Sequence, residues 1–276
     1  MNLVVQGPAI TGEQAIELER LAGAARLRRI AESAWRIDHA APGDAIPAYC
    51  QRHRIDFAFV PQGRRFADLR LLAMDMDSTL ITIECIDELG DFAGRKAEVA
   101  AITAQAMRGE LDYPQSLRRR VALLRGLDES VLERVYAERL RLTPGAATLI
   151  AKCKAHGVRL LLVSGGFSFF TERLRERLGL DYTISNRLEI RDGKLTGEVL
   201  GDIVDGDAKA RRFAEAVNEL EADKAQTVAI GDGANDLKMM AEAGYSIAFR
   251  AKPRVQAAAS CAITWSDLAA VVNLFE

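Results

Sequence analysis

The sequence predicts an α/β protein: a parallel-sheet core, an inserted helical subdomain and a small N-terminal α+β module. Three observations carry that reading. Short apolar runs recur at 71–74, 158–163, 227–230 and 245–249 with helix-like stretches between them, the pattern of strands buried on both faces of a parallel sheet. The gap between the first two runs is far too long for a simple crossover, and its residues read as amphipathic helices. The first sixty-odd residues have a strand–helix rhythm of their own, closed by the polar linker Pro61-Gln62-Gly63-Arg64-Arg65. The expected boundaries are 1–66 for a βαβ-type module and 67–276 for the main domain, with the helical insertion at about 82–142.

In chain order, 3–5 is strand-like, and 11–22 shows helical apolar spacing behind a plausible N-cap, Thr11, with Glu13 and Gln14 in the first turn. A second strand is expected across 26–37, a short helix over 45–52 and a third strand over 55–60, giving βαβαβ. Thr143-Pro144-Gly145 ends the helical insertion, with Pro144 suited to the N1 position of the next helix. Asp192-Gly193, flanked by 187–190 and 194–197, predicts a β-hairpin.

Composition narrows the function classes. With 276 residues and a formal charge of −2, the chain has room for two domains and no bulk attraction to nucleic acid or anionic membrane. No apolar stretch approaches the roughly 20 residues that span a bilayer, and the N-terminus lacks the basic and apolar regions of a signal peptide, so a cytoplasmic location is expected. Cys50, Cys85, Cys153 and Cys261 are spaced for neither a disulfide framework nor a zinc site, and read as reduced, buried thiols. His39, His53 and His156 match no nucleophile–base or metal pattern.

The chemistry concentrates at the ends of the apolar runs. Asp75-Met76-Asp77-Ser78-Thr79 follows the first run, where the chain turns away. Two close carboxylates repel unless a cation lies between them or one keeps its proton, and either solution is chemically useful. Taken alone, the motif is equally compatible with ordinary turn chemistry. Val163-Ser164-Gly165-Gly166-Phe167 closes the second run with a hydroxyl and two glycines, which let backbone N–H groups approach an anion or simply make a strand-to-helix turn. Gly231-Asp232-Gly233-Ala234-Asn235-Asp236 closes the third. Ala234 excludes a calcium loop of the EF-hand kind, and Asp236 stands where a dinucleotide fingerprint needs glycine. Lys209 lies between these last two motifs as a candidate cation.

Acidic, hydroxyl, lysine and acidic groups in that order resemble the four motifs of the haloacid dehalogenase superfamily of phosphohydrolases. Glu84, Met107-Arg108-Gly109-Glu110, Asp112-Tyr113 and the run from Ser116 to Val121 extend the resemblance to its phosphoserine phosphatase family, over roughly Leu71 to the C-terminus. The resemblance implies a Rossmann-like core with a helical cap, and hydrolysis of O-phospho-L-serine to L-serine as the last step of serine biosynthesis. It implies Asp75 as nucleophile, Asp77 as acid and base, and Ser164, Gly165, Lys209 and Asn235 as groups binding phosphate. Mg²⁺ would be held by Asp75, Asp232 and the backbone carbonyl of Asp77, with Asp236 orienting the metal's water shell and Thr79 bracing the loop. Glu84 would receive the substrate ammonium, Arg120 its carboxylate, and Met107 and Tyr113 would wall the site; the family often has Phe where Tyr113 stands. Arg118, Arg119 and Arg120 cannot all face one site, since consecutive helical residues point about 100° apart.

Competing readings are a hydrolase of another small phosphometabolite, a phosphotransferase using an alcohol acceptor, and a non-catalytic phosphoserine sensor. The N-terminal module vaguely resembles the ACT-type amino-acid-binding fold but is short for one. Regulatory, structural and homodimerising roles for it all stand open.

Overall fold

A computed structural model describes every residue of the chain except Ala25. Among the described residues, eleven strands form two sheets. The N-terminal segment runs β1 (Asn2–Gln6), α1 (Gly12–Leu21), β2 (Arg26–Ala31), β3 (Ala34–Asp38), α2 (Ala45–His53) and β4 (Asp56–Val60). Its sheet has the order β2-β3-β1-β4 with antiparallel pairing throughout, a split βαβ arrangement. The single strand expected across 26–37 is thus a hairpin, and the order is βαββαβ. No Gly or Asn-Gly marks the turn at Glu32-Ser33, so the segment reads as one extended run; pairing of β3 with β1 decides the break. Thr11 does cap α1: its hydroxyl accepts from Gln14 N–H, and the Gln14 side chain accepts from Thr11 N–H.

This sheet is buried on both faces. Leu3 and Val5 pack against α1 and α2, whereas Val4, Ala58 and Val60 join the core of the main domain. Polar joints reinforce the seam. The buried Asp56 carboxylate accepts N–H groups of Thr264, Trp265 and Ser266 at 2.7–3.1 Å. Arg36, 2% exposed, reaches Glu276 and the carbonyls of Asn273 and Phe275.

The main sheet runs β11-β10-β9-β5-β6-β7-β8. Its central strand, β5 (Leu71–Asp75), lies between β6 (Arg159–Phe167) and β9 (Thr227–Gly231), all parallel. β10 (Tyr245–Phe249) and β11 (Cys261–Ile263) extend one side. On the other, β7 (Tyr182–Arg191) pairs parallel with β6 and then turns back antiparallel as β8 (Lys194–Leu200) through Asp192 and Gly193, both at positive φ. Because β5, β6 and β9 are neighbours, their carboxyl ends form one edge, where ligands of open α/β sheets bind. β6 does not stop at Ser164: it continues to Phe167 across a register shift against β7.

Between β5 and β6 the chain inserts α3 (Cys85–Phe92), α4 (Lys96–Met107), α5 (Tyr113–Ala122) and α6 (Ser130–Arg134). Entry and exit lie side by side: Thr82 N–H donates to Arg141 O and Thr143 N–H to Leu80 O, both at 3.0 Å. Asp112 caps α5 by accepting from Gln115 N–H. Pro144 is not at N1 of the following helix α7 (Ala146–Ala155). Gly145 caps it at φ +82°, and the Pro144 carbonyl accepts instead from Leu268. Three further helices complete the core: α8 (Ser168–Leu178), α9 (Gly206–Glu219) and α10 (Leu237–Glu242); α11 (Pro253–Ala258) precedes β11.

Candidate active site

Asp75 ends β5, and Met76–Leu80 forms a wide turn closed by Ile81 N–H to Met76 O. Within it Ser78 adopts a left-handed φ of +57°, and its N–H donates to Ile83 O. That bend sends Asp77 toward the start of α3, where Asp77 Oδ1 accepts the Cys85 N–H at 2.8 Å. Ser78 Oγ donates to Glu84 Oε1 at 2.7 Å, so one loop orients both acids.

Across the sheet edge, Ser164 is fully buried. Its Oγ accepts the Gly166 N–H at 2.8 Å and donates to Asp77 Oδ2 at 3.5 Å. A Cβ on Gly166 would lie 2.7 Å from Asp77 Oδ2, and one on Gly165 would strike Tyr113 Oη; the two glycines keep this edge open. The Gly165 carbonyl accepts from Tyr113 Oη at 3.0 Å and Asn186 Nδ2 at 2.8 Å, fixing the peptide between the two glycines.

Lys209, in the first turn of α9, is wholly buried and bridges Asp75 Oδ1 at 2.6 Å and Asp236 Oδ1 at 2.7 Å. Asp236 Oδ2 accepts the Gly233 N–H, which shapes the loop after β9. Carboxylate oxygens of Asp75, Asp232 and Asp236 lie within 4.8 Å of one another. An all-oxygen set of that kind suits a hard divalent cation.

The electrostatics show the strain of this crowding. Burial, and then the charge of Glu84, push Asp77 up to about 7. Burial, then Asp236 and Glu84, push Asp232 up to about 7 as well. Burial also raises Glu84, against the pull of its Ser78 hydrogen bond. For Asp75, burial and Asp236 push upward while Lys209 pulls down. Burial opposes the Lys209 charge, but Asp236 and Asp75 hold the ammonium above its ordinary range. With two contacts under 2.8 Å, the Lys209 ammonium opposes the upward push of burial and Asp236 on the Asp75 carboxyl.

Asp75, Asp77, Glu84, Arg120, Asp232 and Asn235 line one cavity of about 140 Å³. A larger hollow of about 540 Å³ lies at the seam with the N-terminal module, but it gathers none of these groups. The chemistry marks the smaller one.

A family model for haloacid dehalogenase-like hydrolases matches residues 72–241. A phosphoserine phosphatase of Polaromonas sp. is 54% identical over 215 residues, covering 76% of this chain and 91% of the relative. That of Haemophilus influenzae is 46% identical over 220 residues, covering 80% of this chain and 70% of the relative. The chain belongs to the phosphoserine phosphatase family of haloacid dehalogenase-like hydrolases. A solved structure of a substrate-bound phosphoserine phosphatase complex matches at 39% identity and TM-score 0.71, covering 75% of this chain and 99% of that one. An unliganded structure of a probable phosphoserine phosphatase from Vibrio cholerae matches over 99% of this chain and 85% of that one, at 36% identity and TM-score 0.85. A domain of unknown function matches residues 3–46, within the N-terminal module.

The fold brings Asp75, Asp77, Ser164, Gly165, Lys209, Asp232, Asn235 and Asp236 to the sheet edge expected of the family, with Glu84, Arg120 and Tyr113 facing them from the inserted segment. Arg118 and Arg119 are exposed, while Arg120 is half-buried with Nε donating to Ser116 O at 3.4 Å. Met107 is 61% exposed and lines an outer groove with Tyr113 and Arg120, not the inner cavity. Thr79 is fully buried, but among the described residues its hydroxyl has no partner, so it packs under the loop rather than bracing it by a hydrogen bond. Sequence reasoning passed over Ser78, Asn186 and Lys252. Ser78 and Asn186 act through hydrogen bonds that carry no spacing signal. Lys252 follows the fourth apolar run, at the end of a strand of the same sheet, and that position was the available clue.

Proposed function

We propose that this chain hydrolyses O-phospho-L-serine to L-serine and phosphate, using Asp75 as nucleophile and Asp77 as acid and base. The observation that supports it most is the different setting of two carboxyls in one loop. Lys209 donates to Asp75 Oδ1 at 2.6 Å and opposes the upward push of burial and Asp236 on that carboxyl, while Asp77, hydrogen-bonded to the Cys85 N–H, is raised by burial to about 7 and keeps a proton available near neutrality. Lys209 occupies Asp75 Oδ1, and among the described residues Oδ2 has no hydrogen-bond partner, so this oxygen is the one free to attack phosphorus.

In the first step an Asp75 oxygen bonds to phosphorus and the bond to the seryl oxygen breaks. Asp77 gives that oxygen its proton. In the second step water attacks the aspartyl-phosphate, Asp77 takes the water's proton, and phosphate leaves with Asp75 restored. Ser164 Oγ–H, the Gly165 N–H, Lys209 and Asn235 would hold the phosphoryl oxygens through both steps. Glu84 would accept the substrate ammonium and Arg120 its carboxylate, where a planar fork suits the partner.

Mg²⁺ fits this site. Asp75, Asp232 and the Asp77 carbonyl would hold it, with Asp236 behind them, and the raised carboxyls show a cluster short of positive charge. Bound there, the cation would neutralise charge between the carboxylates and the phosphate.

The test is phosphate release from L-phosphoserine, with Mg²⁺ and with EDTA, beside phosphoethanolamine and other phosphomonoesters. Fast, metal-dependent release that favours phosphoserine is expected. Equal turnover of phosphoethanolamine, which lacks the carboxylate, would remove the Arg120 role, and a different best substrate would remove phosphoserine.

A further inference from the structure

We propose that Lys252 is a second cation for the substrate carboxylate, working beside Arg120 at the mouth of the cavity. The inference rests on the phosphoserine reading above and adds a residue to it.

The backbone places Lys252 at the site. It follows β10 in Ala251-Lys252-Pro253, and its N–H donates to the carbonyl of Asp232 at 3.3 Å, which pins its loop to the metal-binding loop. Pro253 opens α11 and fixes the direction of departure. The side chain lines both the inner cavity and the outer groove of about 480 Å³ between the inserted helices and the core. Tyr113, Arg120 and Asn235 share that double position, so these four residues ring the passage from groove to cavity.

Charge accounting then singles it out. Lys209 is committed to Asp75 and Asp236. Lys238, also in the groove, is committed to both oxygens of Asp207 at 2.7 Å. Among the described residues, the ammonium of Lys252 has no hydrogen-bond or ion-pair partner, and Arg120 has only the long contact to Ser116 O. Both free cations act on Glu84, drawing its carboxyl downward. In phosphoserine the carboxylate and ammonium share one carbon. A substrate with its ammonium at Glu84 therefore carries its carboxylate into the space that Arg120 and Lys252 flank. Two cations around one carboxylate match a planar fork with a mobile point charge.

The test compares kcat and KM of wild type, Lys252→Met, Lys252→Arg and Lys238→Met on phosphoserine and phosphoethanolamine. Lys252→Met is expected to raise KM for phosphoserine roughly tenfold, the scale of one charge-assisted contact, with a much smaller change for phosphoethanolamine. Lys252→Arg should recover most of the loss, and Lys238→Met should leave the substrate ratio unchanged. Equal losses on both substrates, or the same loss in Lys238→Met, would overturn the carboxylate role, since either points to phosphate or to the general field. No change in Lys252→Met would overturn it too. Lys252 is exposed on a loop, so thermal midpoints should match wild type; should Lys252→Met fail to fold, Lys252→Gln carries the same comparison. A wild type inactive on phosphoserine would instead sink the reading beneath the proposal, a result that wild type alone reveals.

Discussion

Asp77 is the residue on which the reaction's pH dependence turns. Burial raises it to about 7, so its protonated form is progressively lost as pH rises through that value. The phosphorylation step, which consumes that proton, should weaken above about pH 7. Asp77→Asn is expected to lower kcat by roughly a hundredfold or more and to flatten that alkaline limb. A retained limb in the variant would assign it to another group. Lys209 answers a different question. It is the one charge between two buried aspartates, and Lys209→Met would leave Asp75 and Asp236 facing each other without compensation. Removing one partner of a buried charge network costs about 3–5 kcal/mol, which urea unfolding of the metal-free protein should register. An unchanged midpoint would mean that the aspartates simply take up protons.

Turns and caps decide whether these side chains meet. β5 delivers Asp75, but Asp77 reaches the site only because the left-handed Ser78 turns it onto α3, and β6 offers an anion-binding edge because it runs past Ser164 through two glycines. Gly145 does comparable work at the exit of the inserted helices. At φ +82°, with a would-be Cβ against the Ala269 backbone nitrogen and 2.8 Å from the Asp267 carboxylate, it admits no side chain without movement. Gly145→Ala should destabilise the protein by about 1–3 kcal/mol in denaturant unfolding, since both backbone strain and a backbone contact oppose it. A neutral result would mean that the 267–269 turn yields easily. Backbone bonds tie the inserted segment to itself at Leu80–Thr82 and Arg141–Thr143 and to the β7–β8 hairpin through Gly126, Leu127 and Glu129, so the helices are anchored on two sides of the site.

Over the whole molecule, crowded carboxyls make stability depend on pH and cation. Asp77 and Asp232 are held near 7 in the fold, against an ordinary value of 3.8. Between those values the folded state binds more protons than the unfolded one, so stability falls as pH rises from about 4 to about 7. In EDTA the thermal midpoint is expected to be lower at pH 8 than at pH 5, and Mg²⁺ should restore it mainly at the higher pH. The opposite order in EDTA would contradict the charge assignment. The N-terminal module is tied in by the Asp56 clamp, which satisfies N–H groups of three successive residues. Asp56→Ala should leave those donors unpaired and speed proteolysis in the 61–65 linker; equal cleavage rates would show that apolar packing alone holds the module.

What the sequence determined by itself was chemical and local. Strand ends, acidic pairs and glycines lie within a few residues of one another, so the order of Asp75, Ser164, Lys209 and Asp232 and the four apolar runs are readable without a fold. So was the hairpin at Asp192-Gly193, because its turn residues announce it. Tertiary structure decided what depends on partners distant in the chain. The break between β2 and β3 follows from pairing with β1, and the place of Pro144 from a hydrogen bond to Leu268, 124 residues later. The family resemblance makes Met107 a wall of the site, yet it is exposed and faces the outer groove. Lys252 carries no motif; only the adjacency of β10 to β9 brings it to the cavity mouth. Local spacing records which groups a loop holds, whereas the facing of distant loops depends on strand order, which one sequence does not spell out.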